Sequence, residues 1–274
     1  MFQDWISKFF CFAVCLVLLG PGCDTIEAQT VTGEPGGADA TLASVRSGGG
    51  NPNKTVLKAL AVPEGICLVF DNIPQDTTWI VVHFSDVIDK GSGAARHGII
   101  GTYTDIRGNS LEHLKQTGRV ICPFVQTGYT YNIGVYFQKG DRHEGSEWLY
   151  TVCVAGRGIG LNNDINLSLN ATQTGVTLSS EPEFSAEVQY APHKFSYSAT
   201  IKKAEDWSVG IGDNKSAKGL TWDFEPELSN EFREEYLESG SYPAYVTAFC
   251  NLIYGDLLWS VEIAKSREFI LSLQ

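Results

Sequence analysis

The chain predicts an all-β fold: two tandem β-sandwich domains behind a signal peptide and a flexible linker. Three observations carry this. Gly, Thr, Val and aromatic residues are plentiful while Met occurs only at position 1, a composition of strands and turns rather than packed helices. Short apolar or alternating runs recur between clusters of Gly, Pro, Asn and Asp at sandwich spacing. The chain also echoes itself: Gly128-Tyr129, a strand, a polar turn and Trp148-Leu149 are matched by Ser241-Tyr242, a strand, a short turn and Leu258-Trp259. The expected division is 1–22 signal peptide, 23–54 linker, 55–158 first sandwich and 159–274 second sandwich with a short helical insertion.

The signal begins at Lys8, followed by an apolar run of about 11 residues from Phe9 to Leu19, then Gly20-Pro21-Gly22 and Cys23. Such a run suits an export signal and is shorter than the roughly 20 residues a membrane-crossing helix needs. The segment resembles a bacterial lipobox of the relaxed, spirochaete-like kind, with Gly22 before the cysteine and Pro21 as the departure from the usual pattern. The resemblance implies that Cys23 is lipidated and anchors the protein to a membrane of the cell envelope, at the outer membrane, the surface or a periplasmic face. The rival reading is an ordinary secretory signal cut after Ala28, which discards Cys23. Residues 24–54 hold Gly33, Gly36, Gly37, Gly48, Gly49 and Gly50 with few large apolar groups, a tether that spans roughly 30 Å as a flexible coil.

In the first sandwich, strands are expected at 66–70, 79–84, 120–125, 129–137 and 148–155. A Gly-rich crossing and a helix over 109–116 lie between the second and third of these, with Glu112 three positions after the cap residue and Gly118 at the end. In the second, residues 184–190 and 195–201 alternate strictly and read as two strands joined by the turn Ala191-Pro192-His193. Residues 246–254 and 257–264 form a hairpin about Gly255-Asp256, and 268–273 a last strand. Leu228, Phe232 and Tyr236 fall on one helical face, with Ser229 as cap and Gly240 as terminator. The strand order resembles fibronectin type III and immunoglobulin-like domains, which implies a protein that presents loops and edges to a partner.

The net charge of -12 argues against nucleic acid and anionic membrane as binding surfaces. Four cysteines follow the anchor: Cys67, Cys122, Cys153 and Cys250. Export permits disulfides, and a Cys67–Cys122 bridge is one expectation, with Cys153 as the competing partner and four buried free thiols as the alternative. No cofactor or metal is expected. Gly156-Arg157-Gly158-Ile159-Gly160 lacks the following glycine and helix of a dinucleotide loop and reads as an interdomain turn. Asp141, His143 and Glu144 sit in a polar connection, and the acidic series from Asp223 to Glu238 lacks the glycine-punctuated pattern of a calcium loop.

Two surface features point to binding rather than catalysis. Lys139-Gly140-Asp141 occupies the turn between the last two strands of the first sandwich, where fibronectin type III domains can present an integrin-binding tripeptide; Gly-Asp is also an ordinary hairpin turn. Trp207 and Trp222, flanked by Asp206 and Asp223 outside clean alternation, are candidates for stacking on sugars. The expected function is therefore a non-enzymatic, membrane-anchored lipoprotein mediating protein or host-matrix interaction. The alternatives are a carbohydrate-binding module and a structural envelope component.

Overall fold

The computed structural model describes residues 42–44, 55–87, 96–140, 147–204, 207–213, 219–224, 228 and 236–273. The first half folds as β1 (Leu42–Ser44), β2 (Val56–Val62), β3 (Gly65–Asp71), β4 (Thr77–Asp86), β5 (Arg96–Ile106), α1 (Gly108–Thr117), β6 (Arg119–Cys122), β7 (Thr130–Lys139) and β8 (Glu147–Val154). After a 3-10 turn at Asp164–Asn166 come β9 (Leu169–Ala171), β10 (Gly175–Leu178), β11 (Gln189–Ala204), β12 (Trp207–Asp213), β13 (Thr221–Asp223), β14 (Gly240–Tyr254), β15 (Leu257–Lys265) and β16 (Phe269–Leu273).

The result is an all-β sandwich with one long layer and a divided second layer. Nine strands form the long sheet in the order β12-β11-β14-β15-β5-β4-β7-β8, with β16 also pairing β14. Two small sheets, β1-β2-β3-β6 and β13-β10-β9, supply the second layer. The two halves follow one plan. Counting seven strands from β2 and again from β9, the first, second and fifth form the small sheet, and the long sheet runs fourth-third-sixth-seventh in each.

The quartets join where β15 pairs antiparallel with β5, Trp259 opposite Thr104 and Ser260 opposite Tyr103. Segments 55–158 and 159–274 thus share one sheet. Their cores meet as well. Trp259, fully buried, packs on Phe84 and Phe124 with ring centroids 6.4 and 6.5 Å away, and Phe124 reaches on to Phe184 and Tyr254. Away from this seam each half has its own aromatic centre: Phe70 meets Phe137 edge-on at 6.1 Å in the first, and Tyr197 stacks on Trp222 at 6.1 Å in the second. Burying a large apolar side chain contributes about 1.5–3 kcal/mol, so the seam aromatics bind the halves as firmly as a core does.

The connection between halves is strapped down. Ile159 N donates to Pro123 O at 2.6 Å and Leu161 N to Gln126 Oε1 at 3.0 Å. Gly158 sits at φ +148, where a Cβ would come within 2.7 Å of Pro123 O, so only glycine allows so close a crossing. The glycine-rich run acts as the expected turn.

Several elements differ from expectation. Residues 96–106 of the Gly-rich crossing are the strand β5, and residues 88–95 lie outside the described residues. Residues 184–188 form no strand, Phe184 making only an isolated bridge to Leu161, and the expected turn at Ala191-Pro192-His193 lies inside β11 as an irregularity between Tyr190 and Phe195. A bulge tolerates Pro192 because a residue there owes the ladder no hydrogen bond. The helix ends as read, Gly118 at φ +64 donating to Leu114 O, but its N-cap is Arg107 without a side-chain bond, and Glu112 pairs with Lys115 instead. Most of the expected second helix, 229–235, lies outside the described residues, and Gly240 opens β14 rather than ending a helix. No helix among the described residues is long and apolar enough to cross a membrane.

Candidate functional site

Strand alternation gives the long sheet an inner face toward the small sheets and an outer face away from them. In the first half the outer face is clad in aromatics. Trp79 on β4 meets Tyr136 on β7 edge-on at 6.3 Å. Tyr136 lies 5.1 Å from Trp148 on β8, which stacks at 9° on Tyr150 two residues further along the same strand. Gly134 on β7 makes room for this file, since a Cβ there would lie 3.3 Å from both the Trp148 and Tyr150 rings.

One end of the file is tied down by polar contacts. Trp79 Nε1 and Tyr103 Oη both donate to Asp105 Oδ1, at 3.0 and 2.8 Å. The Arg107 guanidinium stacks 3.9 Å over the Trp79 ring and lies 3.8 Å from Asp105. Burial pushes the Asp105 pKa up, against the opposing effects of the Tyr103 bond, Arg107 and the Trp79 bond. Burial likewise raises Tyr103, helped by the neighbouring Asp105 charge. The other end is open: Tyr150 is 49% exposed, Val152 39% and Val154 55%, a continuous apolar row along β8.

His83 lies in the same face, half-buried, and loss of hydration pushes its pKa down to about 4. Ser85 Oγ lies 3.3 Å from its Nδ1 and 3.5 Å from Nε2, so the hydroxyl flanks the ring rather than addressing one nitrogen as a nucleophile would. Among the described residues no three His, Cys, Asp or Glu side chains converge as a metal site. What this face offers chemically is apolar area with a cation and a carboxylate at one end.

The residues singled out in the sequence do not gather here. Cys23 and Asp141 lie outside the described residues. Lys139 ends β7 and Gly140 turns at φ +60, its carbonyl accepting from Thr78 Oγ1 at 2.9 Å, as a hairpin turn would have it. Trp207 begins β12, and its side chain is outside the described ones. Trp222 contradicts the stacking role: it is 1% exposed between Tyr197 and Phe224. Three residues of β13 are too short a run for alternation to reveal which face the ring takes.

The Cys67–Cys122 bridge is also excluded. The two lie on neighbouring strands, as expected, but Ile66 is opposite Cys122 and Cys67 opposite Ile121. That offset of one residue sends the two side chains to opposite faces. All four cysteines are free and buried, and burial raises each thiol pKa, that of Cys153 to about 11. They are inert apolar filling.

The outer aromatics were missed because a tryptophan in an alternating strand is usually core. The signal was the Trp148-x-Tyr150 pair beside Val152 and Val154, four large side chains on one parity, with Leu149 and Cys153 on the other. No protein-family profile matches the chain, and no curated protein resembles it in sequence.

Proposed function

We propose that this chain is a non-enzymatic lipoprotein of the cell envelope, anchored through Cys23, that binds a protein or host-matrix partner with the outer face of its first half. The observation that carries the reading is the row Tyr150, Val152 and Val154, each more than a third exposed on one strand. Contiguous apolar surface of this kind marks interaction sites. A row of β-branched side chains matches the apolar surface of a protein better than a sugar. The Trp79 ring, covered by Arg107, is not open on that side for a sugar to stack on.

The finer resemblance to fibronectin type III and immunoglobulin-like domains has support in both halves. Each places three strands over four, and each has a tyrosine corner, a tyrosine near the start of the sixth strand bonded to backbone a few residues upstream. Tyr131 accepts from Gln126 N at 2.8 Å and donates to Ile99 O at 2.6 Å, while Tyr242 donates to Glu238 O at 2.9 Å.

A second reading, a carbohydrate-binding module, is favoured by the file Tyr136, Trp148 and Tyr150 and moves from Trp222 to these residues. One experiment separates the two: the chain is exposed to immobilised extracellular-matrix proteins and to a glycan array. Retention on matrix proteins, lost in Val152→Ser/Val154→Ser, supports the first reading; binding to glycans alone, lost in Trp148→Ala, supports the second. Mass spectrometry of the mature N-terminus tests the anchor, and an unacylated Cys23 or its absence sinks that part.

A further inference from the structure

Four asparagines stand in an Asn-x-Ser/Thr triplet, the acceptor pattern for N-linked glycan on exported chains: Asn53, Asn166, Asn170 and Asn214. Asn53 and Asn214 lie outside the described residues. The other two belong to the edge of the second half's small sheet, Asn166 closing the 3-10 turn and Asn170 lying within β9. Alternation there is strict. Leu167 and Leu169 are buried, while Asn166, Ser168 and Asn170 are exposed on the face turned away from the long sheet. The fold grips this segment through its leucines and its backbone. Ser179 Oγ donates to Asn166 O at 3.0 Å and accepts from Ser168 N at 2.9 Å, and Ser179 N donates to Ser168 O at 2.9 Å. Among the described residues nothing bonds to the carboxamides of Asn166 and Asn170 or to the Ser168 hydroxyl. Asparagines outside such a triplet commit their amides to the fold: Asn163 Nδ2 donates to Glu181 O and Asn251 Nδ2 to His193 O, both at 2.9 Å.

We propose that Asn166 is a site of N-linked glycosylation. It has a feature that Asn170 lacks. Asp164 stands two positions ahead of it, so Asp164-Ile165-Asn166-Leu167-Ser168 has the bacterial form of the motif, acid-x-Asn-x-Ser/Thr, whereas Ser168 holds the corresponding place before Asn170. The co-reactant is an oligosaccharide joined through a diphosphate to a polyprenyl lipid. Asn166 Nδ2 bonds to the anomeric carbon of its first sugar. The bond from that carbon to the diphosphate oxygen breaks, its electron pair leaves with the polyprenyl diphosphate, and one amide proton passes to a base; nothing is oxidised or reduced. In the folded protein the sugar has room, since Asn166 faces water and its amide has no other duty. The glycan leaves from the side of the sandwich opposite the aromatic file, so it adds a bulky, solubilising group to the second half and leaves the first half's outer face bare. The inference rests on the export that the proposed envelope location requires, and on neither Cys23 nor the partner.

The test uses the full-length protein extracted from the membranes of its own cells. Trypsin releases residues 158–194 as one peptide, since no Lys or Arg stands between Arg157 and Lys194. Electron-transfer fragmentation of that peptide should place a glycan on Asn166. The glycan should be lost in Asn166→Gln, Ser168→Ala and Asp164→Asn and kept in Ser168→Thr and Asp164→Glu. Melting temperatures should not change in Asn166→Gln or Ser168→Thr, because neither side chain holds the fold. An unmodified Asn166, a glycan on Asn170 alone, or a glycan that survives Ser168→Ala or Asp164→Asn would overturn the proposal. The amino-terminal peptide of the same sample reads the anchor separately. An acylated Cys23 beside a bare Asn166 sinks only the glycan, and a glycan on a chain cut after Ala28 sinks only the anchor.

Discussion

The outer faces of the two halves present different chemistry on one strand plan. A single row across the long sheet shows it: Tyr150, Gly134, His83 and Tyr103 in the first half continue through Ser260 and Asn251 in the second. The second half's part of the row is small and polar, and it satisfies itself. Asn251 Nδ2 donates to His193 O at 2.9 Å and Ser260 Oγ to Asn251 Oδ1 at 2.9 Å. Groups paired in this way fix a sheet and leave little for a ligand. The first half's part is aromatic and partly open, so its excess surface is what calls for a function. The lesson is that the repeat supplies the scaffold, and the cladding of one copy supplies the specificity.

The strongest way to break this contrast uses one residue type on opposite faces. Trp222→Ala removes an inner ring and should lower stability by about 3–5 kcal/mol, read as a drop in the urea midpoint. Trp148→Ala removes a partly exposed ring of the outer file and should cost well under half as much while weakening partner capture. Equal losses would mean that the outer file is core in all but position.

The tyrosine corners offer a finer comparison. Tyr131 is fully buried and Tyr242 only partly so. Tyr131→Phe strands Ile99 O and Gln126 N in the interior, at about 1–3 kcal/mol, whereas Tyr242→Phe returns Glu238 O to water at about 0.5–1 kcal/mol. Thermal melts of the two variants test the ranking. If Tyr242→Phe proves the costlier, the corner in the second half is the true anchor.

How much of this was legible depends on whether the cause was local. β7, β8, β14 and β15 were readable because each is a run of β-branched, aromatic and apolar residues bounded by turn residues, whereas strict alternation misled at 184–188, which form no strand. β5 was not, and Gly101 shows why. A Cβ there would meet Glu262 Oε2 at 2.8 Å and Phe84 O at 2.9 Å, so the glycine reports a close approach across the seam rather than a loop. Glu262 is 161 positions away in the chain, beyond any local pattern. The seam itself was invisible for the same reason, although the echo between halves hinted at two units. The candidate site was half legible: its residues stood in plain alternation, but which parity faces inward is decided by the small sheet that covers the other side.

Titration probes the first half's outer face by itself. The folded His83 pKa, about 4, lies below its ordinary value of 6.5. Above 6.5 the ring is neutral in both states and contributes no pH dependence. As pH falls from 6.5 toward 4 the unfolded chain takes up a proton that the folded one refuses, so stability declines by up to about 1.4 kcal/mol per pH unit. Asp105, raised by burial, acts with the opposite sign, since acid relieves the cost of its buried charge. His83→Gln should flatten the decline between pH 6.5 and 4, and urea melts at pH 7, 6 and 5 will show it. An unchanged slope would place the acid sensitivity outside this face.

The smallest expected effect belongs to the second half's outer face. Lys202 Nζ lies 2.6 Å from Glu268 Oε2, both side chains 35% exposed, and 5.8 Å from the Tyr245 ring. At that exposure water screens the attraction and ordering two long side chains opposes it, so Lys202→Ala should cost no more than about 1 kcal/mol. Raising the salt concentration should shrink even that, because such a pair is within reach of mobile ions. Melting curves at low and high salt make the comparison. A loss as large as that of Tyr131→Phe, insensitive to salt, would show that this face is held by charge rather than by its polar ladder, and the contrast between the halves would then lie in their electrostatics.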